Sequence, residues 1–116
     1  ERRIWAGILN ELKTRDYRGA MAAAETLAGS REVTLEFLAW AESWYRDVLV
    51  HGTTGEAGEL VNPDMLPQME QGAARFAVKA ALNALGHISE ATAGVHRNLN
   101  RRMVLEKFLF GVVEGR

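Results

Sequence analysis

The chain has 116 residues, 47% hydrophobic and 25% charged, a composition that excludes wholesale disorder and suits one soluble domain with a single core. It contains no cysteine, which excludes disulfides and thiolate metal sites and fits a cytoplasmic protein. The net charge of −1 lacks the global basic field of a nucleic-acid binder, and no apolar run approaches the roughly 18–20 residues of a membrane span. No charged-then-apolar leader opens the chain, which starts on Glu1 rather than Met, so residues 1–116 read as one domain of a longer protein.

The first predicted helix carries Ile4, Trp5, Ile8, Leu9 and Leu12 on one apolar stripe. Lys13-Thr14-Arg15 closes it, and Asp16 is placed to cap a second helix by accepting from its free N–H groups. Tyr17, Ala20, Met21, Ala24, Leu27 and Ala28 share a face of that helix. Gly29 fits a left-handed position after it, and Ser30 is the next N-cap. These two short helices form an antiparallel hairpin.

A third helix is expected from Arg31 to His51, with Phe37, Trp40, Trp44 and Val48 on one side and Leu38, Tyr45 and Leu49 adjacent. That arc is too wide for one neighbour, so part of it is candidate contact surface for a partner. Gly52, Gly55 and Gly58 among threonines and Glu56 read as an exposed loop. Order resumes at Asn62-Pro63-Asp64, where Pro63 pushes Asn62 out of the helical region and Asp64 can cap a short turn through Met65 and Leu66. Pro67 suits the first turn of a long fourth helix. Its face carries Met69, Ala73, Phe76, Ala80, Ala84, Ile88, Ala91 and Val95, broadened by Leu82 and Leu85. Asn98 is expected to cap the last helix, whose apolar residues are Leu99, Met103, Leu105, Phe108, Leu109, Val112 and Val113. Nothing alternates with period two. The fold is therefore all-α, a single bundle-like domain of five helices in which a short hairpin precedes three longer helices.

Polar residues interrupt this pattern at a few places. Arg46 and Asp47 are sequence neighbours and do not face each other on a helix, so each should find a partner on another helix. On that basis Arg46→Ala is expected to cost about 1–3 kcal/mol. Asp47 also opposes the helix dipole near a C-terminus, which points to a specific tertiary partner. Glu106 lies where an arginine from another helix can reach it. Arg97, Arg101, Arg102 and Lys107, beside His96, make a basic cluster suited to a solvated face, an acidic partner surface or, locally, DNA phosphate.

Chemistry-bearing motifs are missing. His51, His87 and His96 lack metal-ligand spacing, and no HExxH, GxSxG or Walker-type phosphate loop is present. The scattered carboxylates Glu11, Glu42, Glu70 and Glu90 form no pair in sequence. No catalytic, cofactor or metal residue is assigned, and the chain is not expected to act as an enzyme.

Three strings, taken in order, carry a resemblance. Trp44-Tyr45-Arg46-Asp47 near the end of one long helix, Asn62-Pro63-Asp64 before the next, and Asn98-Leu99-Asn100 with Leu105-Glu106 at the last resemble the C-terminal helical domain of bacterial clamp-loader subunits, most nearly the delta-prime subunit of DNA polymerase III. The resemblance runs from about Ile4 to Val113. It implies a collar domain that oligomerises with the other clamp-loader subunits into a pentamer, which uses ATP to open the sliding clamp and place it on primed DNA. Clamp and DNA would then be met only through the parent assembly, and the parent would belong to a DNA-directed DNA polymerase holoenzyme, a nucleotidyltransferase. The isolated domain is expected to self-associate weakly, with no membrane partner. Two other readings stay open: the collar of the gamma/tau motor subunit, and a free-standing helical domain that binds a small ligand or regulates a partner.

Overall fold

The computed structural model describes residues 2–12, 15–54, 61–62, 64, 67 and 78–114; the side chains of 52–54 and 78 lie outside the description. The helices whose bounds fall among the described residues are α1 (Arg2–Glu11), α2 (Tyr17–Leu27), α3 (Arg31–Thr54), α4 (Val78–His96) and α5 (Arg101–Glu114), and none of the described residues forms a strand. The domain is all-α.

Side-chain acceptors set three of the helix starts, each satisfying an N–H that has no partner within the helix. Asp16 Oδ1 accepts from the Gly19 N–H at 2.9 Å to open α2. Ser30 Oγ accepts from the Val33 N–H at 3.1 Å to open α3. Asn100 Oδ1 accepts from the Met103 N–H at 3.0 Å to open α5. Between α2 and α3 the buried Thr34 hydroxyl lies 2.8 Å from the Leu27 carbonyl and 2.9 Å from that of Ser30, fixing the angle of the turn.

Two expectations about turns are corrected. Gly29 is not left-handed: α2 ends on Ala28, at φ −86°, whose N–H still donates to the Ala24 carbonyl at 2.9 Å. Among the described non-glycine residues the left-handed ones are Arg15 and Asn98, at φ 63° and 61°. The anticipated loop at Gly52 begins later, because α3 continues through Thr54; residues 55–60, with Gly55 and Gly58, lie outside the described residues.

α3 forms the centre. Phe37, Leu38, Trp40, Ala41, Trp44, Tyr45 and Val48 are all buried, and full burial of each large side chain contributes roughly 1.5–3 kcal/mol. α4 lies along α3 with Ala81, Ala84, Ile88, Ala91 and Val95 inward. Its small side chains let the backbones approach closely. α1 is held through bulk instead: Trp5 meets Phe37 edge-on at 5.7 Å and lies 5.7 Å from Trp40. The wide arc of α3 is thus covered from within the domain, and the expectation that it offers partner surface fails. Met69, Ala73 and Phe76 lie outside the described residues, whereas Pro67 is helical and exposed.

α2 and α5 pack antiparallel and are fastened at both ends. At one, the Arg15 N–H donates to the Val113 carbonyl at 2.7 Å, Tyr17 lies edge-on to Phe110 at 5.5 Å, and the Tyr17 hydroxyl donates to Glu114 Oε2 at 2.9 Å. At the other, Arg101 Nε donates to the Ala28 carbonyl at 3.2 Å. α4 and α5 also run antiparallel. Side chains would crowd their crossing at two glycines: a Cβ on Gly94 would lie 3.2 Å from Val104 Cγ2, and one on Gly111 3.1 Å from His87 Cδ2.

Several apolar residues assigned to the core stripes face outward. Ile4, Tyr17, Met21, Leu82, Leu99 and Met103 are exposed. Leu99 lies in the turn between α4 and α5, and the other five are on helices.

Candidate functional site

Two of the strings singled out in the sequence meet in one polar joint. Asp47, in the last third of α3, is 1% exposed, and its carboxylate faces the chain at 61–62. Oδ1 accepts from the Val61 N–H at 2.7 Å; Oδ2 accepts from the Asn62 N–H at 2.7 Å and from Asn62 Nδ2 at 2.9 Å. Asn62 Nδ2 also donates to Ser43 Oγ at 3.1 Å, and the Ser43 hydroxyl donates to the Trp40 carbonyl at 2.6 Å. The Asn62 side chain therefore spends both N–H donors on α3. Its remaining oxygen accepts from Arg2 Nη1 at 3.0 Å, which brings in α1.

Arg2 continues to Asp64 in a forked pair, 2.7 Å from Nη2 to Oδ2 and 3.4 Å from Nη1 to Oδ1. A planar guanidinium suits this fork, and its hydrogen bonds hold the Asp64 carboxyl below the ordinary aspartate value of 3.8. The joint thus ties the start of α1, the latter half of α3 and the chain between α3 and α4. Pro63, Met65 and Leu66 lie outside the described residues, so the proposed turn after Asp64 is not described; Asp64 itself is occupied by Arg2.

Arg46 does not join. Its side chain points to solvent and pairs with Glu42 on its own helix at 3.3 Å, so the expected partner on another helix is corrected. Asp47 has its tertiary partner, but in the segment 61–62 rather than on a helix. Trp44 and Tyr45 are buried beside it.

The Asn98-Leu99-Asn100 string divides its work differently from the expectation. Asn98 is not the cap of α5. It sits left-handed just past α4, its N–H donating to the Val95 carbonyl while the Leu99 N–H donates to that of Gly94, both at 3.0 Å. This pairing closes the end of α4, and asparagine is the usual alternative to glycine there. Asn100 is the cap. Glu106 pairs with Arg102 one turn away on α5 at 3.4 Å, not with another helix.

The basic cluster is real but unevenly committed. Arg101 is spent on the Ala28 carbonyl, Arg102 on Glu106, and Lys107 reaches Glu90 on α4 at 3.7 Å. Arg97 is exposed and meets no acceptor among the described residues. Arg31, which sequence reasoning had not placed in the cluster, joins it with Nη2 3.3 Å from His96 Nδ1.

Residues 7–113 match the family profile described as DNA polymerase III, delta subunit, C terminal. The chain belongs to that family. No curated protein and no solved structure gives a significant match. The family places the domain in a clamp-loader subunit and in DNA replication, and its description names delta, where the strings pointed to delta-prime.

No group of three or more His, Cys, Asp or Glu residues is arranged to hold a metal, and no helix is long and apolar enough to cross a membrane, among the described residues. The seam between α4 and α5 holds an apolar pocket of about 100 Å³, lined by Ala91, Gly94, Leu99, Val104 and Phe108 with His87, Glu90 and Lys107 at its rim. Small-molecule sites usually enclose roughly 300–1,000 Å³. Two wider depressions, at Ile8–Thr26 of α1 and α2 and at Met103–Glu114 of α5, are open troughs. Sequence reasoning missed Arg2 and Ser43. The signal available for Arg2 was a basic residue on the first turn of a helix, where it opposes the dipole and so calls for a carboxylate partner.

Proposed function

We propose that the domain is the collar module of a clamp-loader subunit most like delta-prime, binding sister subunits in a hetero-pentamer that loads the sliding clamp on primed DNA in the cytoplasm. The family match over residues 7–113 carries the clamp-loader reading, and the delta-prime assignment within it rests on the order of the three strings alone. The polar joint of Arg2, Asp47, Asn62 and Asp64 supports the collar reading as well. Asp47, Asn62 and Asp64 of the family strings are consumed in tying α1, α3 and the chain between α3 and α4 together, as expected of a module whose function is to present rigid helical faces. On this reading the domain contributes assembly and leaves ATP hydrolysis and polymerisation to other parts of the holoenzyme.

The gamma/tau collar shares the architecture and is separated from delta-prime by the sequence preceding the domain: an intact Walker A string favours the motor subunit. Among the described residues, the apolar pocket in the α4/α5 seam is smaller than a usual small-molecule site and lends the free-standing ligand-binding reading no support. Co-purification with the other clamp-loader subunits tests the collar reading, comparing the full-length protein with one lacking residues 1–116. The full-length protein is expected to assemble and the truncated one to fail; a stable pentamer from the truncated protein refutes the reading.

A further inference from the structure

The ends of α2 and α4 and the starts of α3 and α5 meet at one pole of the domain, as the Arg101–Ala28 and Arg31–His96 contacts require. The two segments that build it, 28–33 and 94–103, carry Arg31, Arg97, Arg101 and Arg102 against a single carboxylate, Glu32. The way these arginines are held matters more than their number. Arg101 donates to a backbone carbonyl and Arg31 contacts an imidazole nitrogen, so neither contact sets a carboxylate against the guanidinium charge. Arg97 has no acceptor among the described residues, and only Arg102 faces a carboxylate. A chain of net charge −1 therefore keeps a concentrated positive pole.

An apolar feature lies within it. Leu99 is 54% exposed and Met103 67%, and Leu99 forms one wall of the pocket in the α4/α5 seam. At about 100 Å³ this pocket is smaller than the roughly 150 Å³ cavity that accepts benzene, and suits one aliphatic side chain. Neither segment carries a Phe, Tyr or Trp as a stacking platform, the His96 ring is engaged by Arg31, and a phosphate backbone would leave the Leu99 wall uncovered. Both features together fit carboxylates next to an apolar anchor.

We propose that this pole docks an acidic segment of a partner protein, with one aliphatic side chain seated against Leu99 in the α4/α5 seam and carboxylates over Arg31, Arg97 and Arg101. The proposal rests on the assembly reading and names one of its contact faces and the chemistry of what meets it. Steering by the arginines raises the association rate and makes it salt-dependent, while the anchor governs dissociation.

The test uses the full-length protein with Arg31→Glu/Arg97→Glu and, separately, Leu99→Asp; Arg101 is left intact because it also closes α2. Binding to the purified remaining clamp-loader subunits is measured at low and high salt, alongside binding to single-stranded and duplex oligonucleotides and the denaturation midpoint of each variant. The proposal expects unchanged midpoints, at least tenfold weaker subunit binding for both variants, and a smaller salt dependence for the arginine pair. Unchanged subunit affinity in both folded variants overturns it while leaving the collar reading standing, since that reading fails only if removal of residues 1–116 spares assembly. Should the arginine variant lose oligonucleotide binding and keep subunit binding, the pole is a nucleic-acid contact and the proposal is wrong. If a variant's midpoint falls, Arg97→Gln and Leu99→Ser replace it, with the same expectations at smaller amplitude.

Discussion

Arg46 and Asp47 stand side by side in the sequence, yet one is surface and the other is a structural pivot. The Asp47 carboxylate is enclosed and accepts three N–H groups from residues 61–62. Replacing it with alanine strands those donors, and a loss of about 1–3 kcal/mol is expected from urea denaturation. Arg46→Ala removes an exposed one-turn ion pair and should move stability by no more than roughly 0.5 kcal/mol. A larger loss at Arg46 than at Asp47 would contradict the joint. Asp64 gives the same site a pH dependence. Its pKa is lowered in the folded state by the Arg2 hydrogen bond, so its contribution is present above the ordinary aspartate range and disappears as pH falls through the folded value. Wild type should therefore exceed Asp64→Asn in stability at neutral pH, with the gap closing in acid; a gap that widens on acidification refutes the assignment.

At the level of the helices, the turn between α4 and α5 separates two asparagines by what each conformation demands. Asn98→Gly should be tolerated, because glycine adopts positive φ without steric cost, whereas Asn98→Val should cost about 1–2 kcal/mol. Asn100→Ala should cost about 0.5–2 kcal/mol by removing the cap of α5. Thermal unfolding of the three variants distinguishes these roles, and equal losses at Asn98→Gly and Asn100→Ala would show that they are misassigned. This turn also shows how far the sequence could be read. Helical periodicity and the short polar residues at Asp16, Ser30 and Asn98–Asn100 located the helix starts, because caps act over three residues and leave a local trace. Which asparagine capped and which turned was not legible, since both types of position favour the same side chain. The joint was half legible: a misplaced Asp47 announced a partner, but Arg2 lies 60 residues from Asn62 and no local pattern links them. Outward apolar residues such as Met103 and Leu82 were misread because periodicity gives the width of an apolar face and not the number of helices that arrive to cover it.

Over the whole molecule, the internal covering of α3 moves the search for partner surface to the poles and to the outer faces of α2 and α5. Tyr17, Met21 and Met103 are exposed there, and salt-resistant weak self-association of the isolated domain is expected to depend on them. Sedimentation of wild type and Met21→Glu/Met103→Glu checks this; an unchanged association in the double variant excludes these faces. The chain is also closed upon itself at the opposite pole, where the Arg15 amide, outside any helix, donates to the Val113 carbonyl in the last turn of α5. A connecting-turn amide ordinarily exchanges with solvent deuterium almost as fast as in an unfolded peptide. This one can be released only by detaching the final turn of α5, so its exchange rate reports the docking of that turn. A partner that grips the final turn of α5 should slow the Arg15 amide without touching it.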